Sequence, residues 1–145
     1  MDRPTGDMSA VLQANESFYE ALTARDLPSM EAIWSHDPAA RCIHPGWEVI
    51  EGWEVIRQSW DIIFSNTRSL KVEPSEVQVR LGGDFAWVCC LESIRSSPRG
   101  QVTLARATNL FVRTAEGWKM ILHHASQVPP EARNAGEGEG DPIVH

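Results

Sequence analysis

Gly117-Trp118-Lys119-Met120-Ile121-Leu122-His123-His124-Ala125-Ser126 closes a long region in which side chains change character at every second residue. Upstream of it, Leu70 to Leu81, Phe85 to Arg95 and Val102 to Arg113 alternate in the same way, separated by Gly82-Gly83-Asp84, Ser97-Pro98-Arg99-Gly100 and Ala115-Glu116-Gly117. Period-two alternation bounded by such turn residues marks strands, and short turns join neighbouring strands antiparallel. Pro74 cannot donate to a ladder, so the first of these strands is expected at an edge or bent. With Lys119 taken as the solvent side, Leu122, His124 and Ser126 are expected to point toward the interior with Trp118 and Met120, and His123 away from it. By the same alternation Trp87, Cys89 and Leu91 are expected inside, and Cys90 and Glu92 on the convex side.

Before this region the period changes. Val11, Ala14, Phe18, Ala21 and Leu22 recur at helical spacing from Ser9 onward. Asp26 before Leu27-Pro28 supplies a capping acceptor and a first-turn proline, which start a second helix with Met30, Ile33 and Trp34 on its apolar stripe. Arg41 to His44 reads as a short strand ended by Pro45-Gly46, and a third helix is expected over Trp53 to Phe64, with Ile56, Trp60 and Ile63 inward, joined by Val55 and Ser59. Three helices followed by a meander predict an α+β fold in which helices cover one face of a curved sheet and enclose a pocket. Residues 1–8 are expected to be a flexible N-terminus, 9–127 the folded domain, and 128–145 a disordered acidic tail rich in Gly and Pro.

The 145 residues include 42% hydrophobic side chains, enough for one domain with a single core. No stretch of about 18 apolar residues is present and no secretory layout precedes Ser9, which predicts a cytoplasmic chain without a membrane span. Three cysteines, two of them adjacent, do not form a disulfide framework. A net charge of -7 without a basic cluster argues against a nucleic-acid partner. No pair of ligands at zinc-type spacing occurs, so neither a metal nor another cofactor is expected.

Several short signatures in order carry a resemblance: Phe18-Tyr19-Glu20-Ala21-Leu22, Cys42-Ile43-His44-Pro45-Gly46, Gly52-Trp53, Ser59-Trp60, Ala107-Thr108-Asn109-Leu110-Phe111 and Gly117 to Ser126. Together they resemble the SnoaL-like group of the ketosteroid-isomerase and nuclear transport factor 2 superfamily, over about Ser9 to Ser126. The resemblance implies a cone-shaped, cystatin-like fold with three N-terminal helices on a curved, mainly antiparallel sheet. It also implies a homodimer through the sheet face. It does not select one activity, because that scaffold serves isomerases, cyclases, hydrolases, dehydratases and association domains.

Position by position, the isomerases' catalytic Asp before a proline corresponds to His44, their protonated oxyanion Asp to Asn109, and their oxyanion Tyr to Phe18, with Tyr19 next to it. Steroid isomerisation in its usual form is therefore not expected. The Asp-Arg-Asp set of related epoxide hydrolases is not matched either, since only Arg106 and Glu92 approximate it. His44 can act as a base near neutral pH, or line the cavity satisfied by a carbonyl or indole. Asn109 can donate to an enolate oxygen, or tie two strands together. Phe18, Tyr19, Trp34, Trp47, Trp87, Leu122, His124 and Ser126 are the expected pocket residues, with Trp47 at the mouth. The expected ligand is a small apolar, carbonyl-bearing molecule whose proton transfer is assisted, as in an isomerase or cyclase; the alternative is a non-catalytic binding or association module.

Overall fold

The computed structural model describes residues 3–96 and 101–129. Helix α1 spans Arg3–Ala24, α2 Leu27–Ile33 and α3 Trp53–Ser65. The strands are β1 Arg41–Ile43, β2 Ile50–Glu51, β3 Leu70–Gly82, β4 Phe85–Ser96, β5 Val102–Thr114 and β6 Gly117–Val128. They form one sheet in the order β2-β1-β6-β5-β4-β3, antiparallel throughout except for the parallel pair β1 and β6. The α+β architecture and the meander are as the sequence predicts. The short strand β2 is additional, and the turn at 97–100 and residues 130–145, including almost all of the expected tail, lie outside the described residues.

Local chemistry explains the boundaries. Asp26 caps α2, its carboxylate accepting from Ser29 N–H at 3.2 Å and from the Ser29 hydroxyl at 2.6 Å. Gly52 stands before α3 at a φ of 86°, a conformation open to glycine, and its N–H bonds the Ala40 carbonyl at 2.8 Å. The first helix starts at Arg3, not near Ser9, so most of the expected flexible N-terminus is helical. Its Asp7 receives a two-pronged bond from Arg113 of β5, at 3.0 and 2.9 Å. On α3 the inward side is Trp53, Ile56, Ser59, Trp60 and Phe64, whereas Val55, expected inside, is exposed. Strand β3 lies at the sheet edge, as Pro74 predicts, and it is irregular between Ser75 and Gln78, where Glu76 has a φ of 52°.

Two strands present their side chains opposite to expectation. On β4 the buried, helix-facing set is Ala86, Val88, Cys90 and Glu92, while Trp87 is 39% exposed on the outer face. On β6 a bulge breaks the phase: Phe111 pairs with Met120 but Leu110 pairs with Leu122, leaving Ile121 as the extra residue. Met120 is inside before the bulge; His123 and Ala125 are inside after it. One inserted residue moves every later side chain to the other face. His124 and Ser126 are therefore exposed on the outer side with half-buried Leu122, and His123 is the core histidine.

The inner face is covered by α1, which packs on β3, β4 and β6. Small residues Ala86, Ala105, Ala107 and Ala125 lie on that face, and α1 contributes Val11, Phe18, Tyr19 and Leu22 to the shared core. Burial of this apolar surface is the principal stabilising term. The polar groups Asn15, Asn109, His44, His123 and Glu92 are enclosed with it.

Candidate functional site

A cleft of about 220 Å³ opens between α1, α3 and the inner face of the sheet. Its lining includes His44 and Trp47 from the β1–β2 connection, Trp60 from α3, Glu92 from β4 and His123 from β6. Larger grooves occur elsewhere on the surface, but this one gathers three buried titratable side chains, and that chemistry identifies it as the candidate site.

Glu92 is 3% exposed. Burial away from water raises its carboxyl from an ordinary 4.5 to about 7, against the opposing effect of a hydrogen bond from Tyr19. That bond is short, with the Tyr19 hydroxyl donating to Oε2 at 2.6 Å. Tyr19 in turn accepts from Asn109 Nδ2 at 3.2 Å and lies 3.2 Å from the Cys90 sulfur. Its own proton is held firmly, burial pushing its pKa well above the ordinary value with Glu92 adding to the shift. Cys90 is raised to about 11 and Cys42 is raised further, both chiefly by burial, so neither thiol supplies a nucleophile at neutral pH.

The two histidines are held neutral. Burial lowers His44 to about 4, and burial, with smaller contributions from His44 and His124, lowers His123 to about 3. Their tautomers follow from the hydrogen-bond network. Ser59 commits its hydroxyl proton to the Ile56 carbonyl at 2.7 Å, so its oxygen accepts from His44 Nε2–H at 2.9 Å. Asn109 commits its amide N–H groups to Asn15 Oδ1 at 2.8 Å and to Tyr19, so its Oδ1 accepts from His123 Nδ1–H at 2.6 Å. His44 Nδ1, which lies 3.9 Å from the Cys42 sulfur, and His123 Nε2 are consequently the lone-pair nitrogens.

The expected site residues separate accordingly. His44 and Trp47 line the cleft, their rings meeting edge to face at 4.7 Å. Tyr19 orients Glu92, and Phe18 forms the packing behind it, 4.9 Å from the His123 ring. Asn109 is fully buried with its amide occupied by protein partners, which makes it a positioning group and not a donor to ligand. Trp34 is buried beside Trp53 at 6.0 Å and does not line the cleft. Trp87, Leu122, His124 and Ser126 belong to the outer face, for the phase reasons given above. Glu92 and His123 are polar cleft residues not anticipated, and Trp60, expected on the inward stripe of α3, lines the cleft as well. A Glu directly after the apolar run Trp87 to Leu91 is the sequence signal that points to the first of them.

The SnoaL-like domain family model matches residues 11–131. The chain belongs to the SnoaL-like family. Within the wider fold, this SnoaL-like chain is similar to a Streptomyces avermitilis protein of the nuclear transport factor 2-like family to which dehydratase activity has been ascribed. The two are 36% identical over 87% of this chain and 99% of that one, with a TM-score of 0.82. It is also similar to a Thiobacillus denitrificans protein ascribed as a calcium/calmodulin-dependent protein kinase type II association domain: 30% identity, 80% and 93% coverage, TM-score 0.69. Among curated proteins, F-box protein SKIP8 of Arabidopsis thaliana is 26% identical over 117 residues, 81% of this chain and 49% of that protein. The SnoaL-like chain thus spans about half the length of the curated relative it matches.

Proposed function

We propose that this SnoaL-like chain is a proton-transfer enzyme acting on a small, apolar, carbonyl-bearing molecule, in the isomerase, cyclase or dehydratase class. The observation that carries this reading is the Glu92 carboxyl, buried at the cleft, titrating near 7 and held by Tyr19. A group with that pKa is present in both protonation states at neutral pH, so it can take a proton from carbon and return it elsewhere. Neutral His44 and His123 line the same cleft, and His44 is the candidate second base. Asn109 fixes the positions of Tyr19 and His123, and through Tyr19 that of Glu92. The ascribed activity of the Streptomyces relative, loss of water, needs a proton removed and a hydroxyl protonated, which is the same pair of tasks.

The test uses 1-indanone in deuterated buffer, with α-hydrogen exchange followed by NMR. The protein is expected to accelerate exchange over buffer, and Glu92→Gln to lower the acceleration by about 10²–10⁴-fold, the usual scale for loss of a general base. Equal exchange by the two proteins removes Glu92 as the base.

A second reading, an association module working as a homodimer through the outer sheet face, is supported by Phe85 and Trp87, 51% and 39% exposed there, and by the association-domain relative. Light scattering at micromolar concentration is expected to give twice the chain mass; a clean monomer contradicts it.

A further inference from the structure

The Glu92 carboxyl at the cleft has two unlike oxygens. Oε2 accepts the Tyr19 hydroxyl at 2.6 Å, whereas Oε1 has no hydrogen-bond partner among the described residues. Among the described residues, the fully enclosed side-chain polar atoms without a partner are the indole nitrogens of Trp34 and Trp60. Oε1 is not one of them, so it keeps accessible surface, and the space that Glu92 lines is the cleft. The phenol is equally constrained. Asn109 turns its amide nitrogen to the Tyr19 oxygen at 3.2 Å because its own Oδ1 accepts from His123. With the single phenol hydrogen spent on Glu92, the 3.2 Å contact to Cys90 has the thiol as donor. The Tyr19 oxygen thus meets two donors and cannot also accept a proton from Oε2. When the carboxyl is protonated, its proton sits on Oε1.

We propose that Tyr19 is the positioning residue of this site: its hydroxyl anchors Oε2 of Glu92 and leaves Oε1 as the oxygen that takes a proton from the ligand and returns it. The inference rests on the reading of Glu92 as the acid–base group, and it adds which oxygen works and what sets the pH range in which it does. The C–H bond that breaks leaves its electron pair on the ligand and its proton on Oε1. On return the proton passes from Oε1 to the ligand, and Tyr19 keeps its own hydrogen throughout. A phenol whose proton is held as firmly as that of Tyr19 suits a fixed donor and not a relay.

Among the described residues, the titratable groups packed around Glu92 are Tyr19 from α1, Cys42 from β1, His44 from the β1–β2 connection, Cys90 from β4 and His123 from β6. Pro74 of β3 and Ala105 of β5 stand opposite it in register, and α3 presents Trp60 and Ile63 to the cleft. At neutral pH the thiols are protonated, the histidines neutral and the phenol intact, so none of these groups brings a charge to the carboxylate. The hydrogen bond from Tyr19 is therefore the stabilising contact that opposes burial, and its removal must leave the carboxyl protonated to higher pH.

Tyr19 is the one tyrosine of the chain, so biosynthetic incorporation of 3-fluorotyrosine replaces it and no other residue. Fluorine makes the phenol more acidic and a stronger donor at nearly the same size. The Glu92 carboxyl is followed by ¹³C NMR titration, without ligand, in the wild type, Tyr19→Phe and the fluorotyrosine protein. Tyr19→Phe is expected to raise the midpoint by about one to two pH units, the scale of a lost hydrogen bond to an ionised group, and 3-fluorotyrosine to lower it. The rise of 1-indanone exchange with pH is expected to move with the midpoint, so that Tyr19→Phe loses about five- to fifty-fold at pH 7 and recovers above its new midpoint. Neutron diffraction from crystals at pH 5 is expected to show the carboxyl deuteron on Oε1. A Tyr19→Phe midpoint not above the wild-type value, a fluorotyrosine midpoint not below it, or a deuteron on Oε2 overturns the proposal. If Tyr19→Phe does not fold, the fluorotyrosine protein and the neutron map decide. Midpoints that move as expected without exchange remove only catalysis, whereas exchange that depends on Glu92 with unmoved midpoints removes only the role of Tyr19.

Discussion

Glu92→Gln is expected to stabilise the protein by about 3 kcal/mol at pH 8 while lowering the proton transfer assigned to it by about 10²–10⁴-fold. The folded carboxyl titrates at about 7 against an ordinary value of 4.5, so between these values the folded state binds more protons than the unfolded state. Stability must therefore fall as pH rises through that window and remain lowered above it. A shift of this size corresponds to about 3 kcal/mol at pH 8, shrinking to about 1 kcal/mol at pH 5, where the folded carboxyl is protonated. Gln keeps an oxygen for the Tyr19 hydroxyl but carries no charge, so it removes the penalty without removing the bond. Urea unfolding of both proteins at pH 5 and pH 8 measures the difference. A gain that grows from the lower pH to the higher is the signature of an ionised group held where water would be preferred, which is the stability disadvantage expected of a working acid–base group.

Asn109→Leu is expected to act in the opposite direction, lowering stability by about 3 kcal/mol or more, because it orphans several buried groups at once. His123 Nδ1–H loses its acceptor, Asn15 Oδ1 loses its donor, and the Tyr19 hydroxyl loses one of its partners. Leu has the same branching and is bulkier, so the substitution opens no cavity, and crowding at this fully buried position adds to the loss. Urea unfolding at pH 7 gives the value. A loss below about 1 kcal/mol would mean that the amide is not the junction of the buried network, and would return Asn109 to the role of a ligand donor.

These two residues also show where the sequence was legible. Asp26 before Leu27-Pro28, Pro74 at an edge, and the turns before Phe85 and Trp118 mark elements through local chemistry that tertiary packing did not override. Which face of a strand is inside depends on packing against the helices, and here alternation is ambiguous. Phe85, Trp87 and Leu91 make the outer side of β4 more strongly hydrophobic than the inner side, where Ala86, Val88, Cys90 and Glu92 stand. Reading the larger residues as interior therefore sends Glu92 outward. On β6 the bulge at Ile121 carries no Gly or Pro to announce it, so continuing the phase from Met120 reaches His124 and Ser126 in place of His123. His44 and Trp47 were legible because the Pro45-Gly46 turn fixes where the strand ends and the cleft begins.

The protonation state of Glu92 links the cleft, its hydrogen-bond network and the proposed chemistry. A ¹³C NMR titration of the glutamate side-chain carboxyls, with the Glu92 signal assigned by its loss in Glu92→Gln, measures that state directly. The account predicts an apparent pKa near 7 for this one carboxyl; a midpoint near the ordinary 4.5 would contradict it.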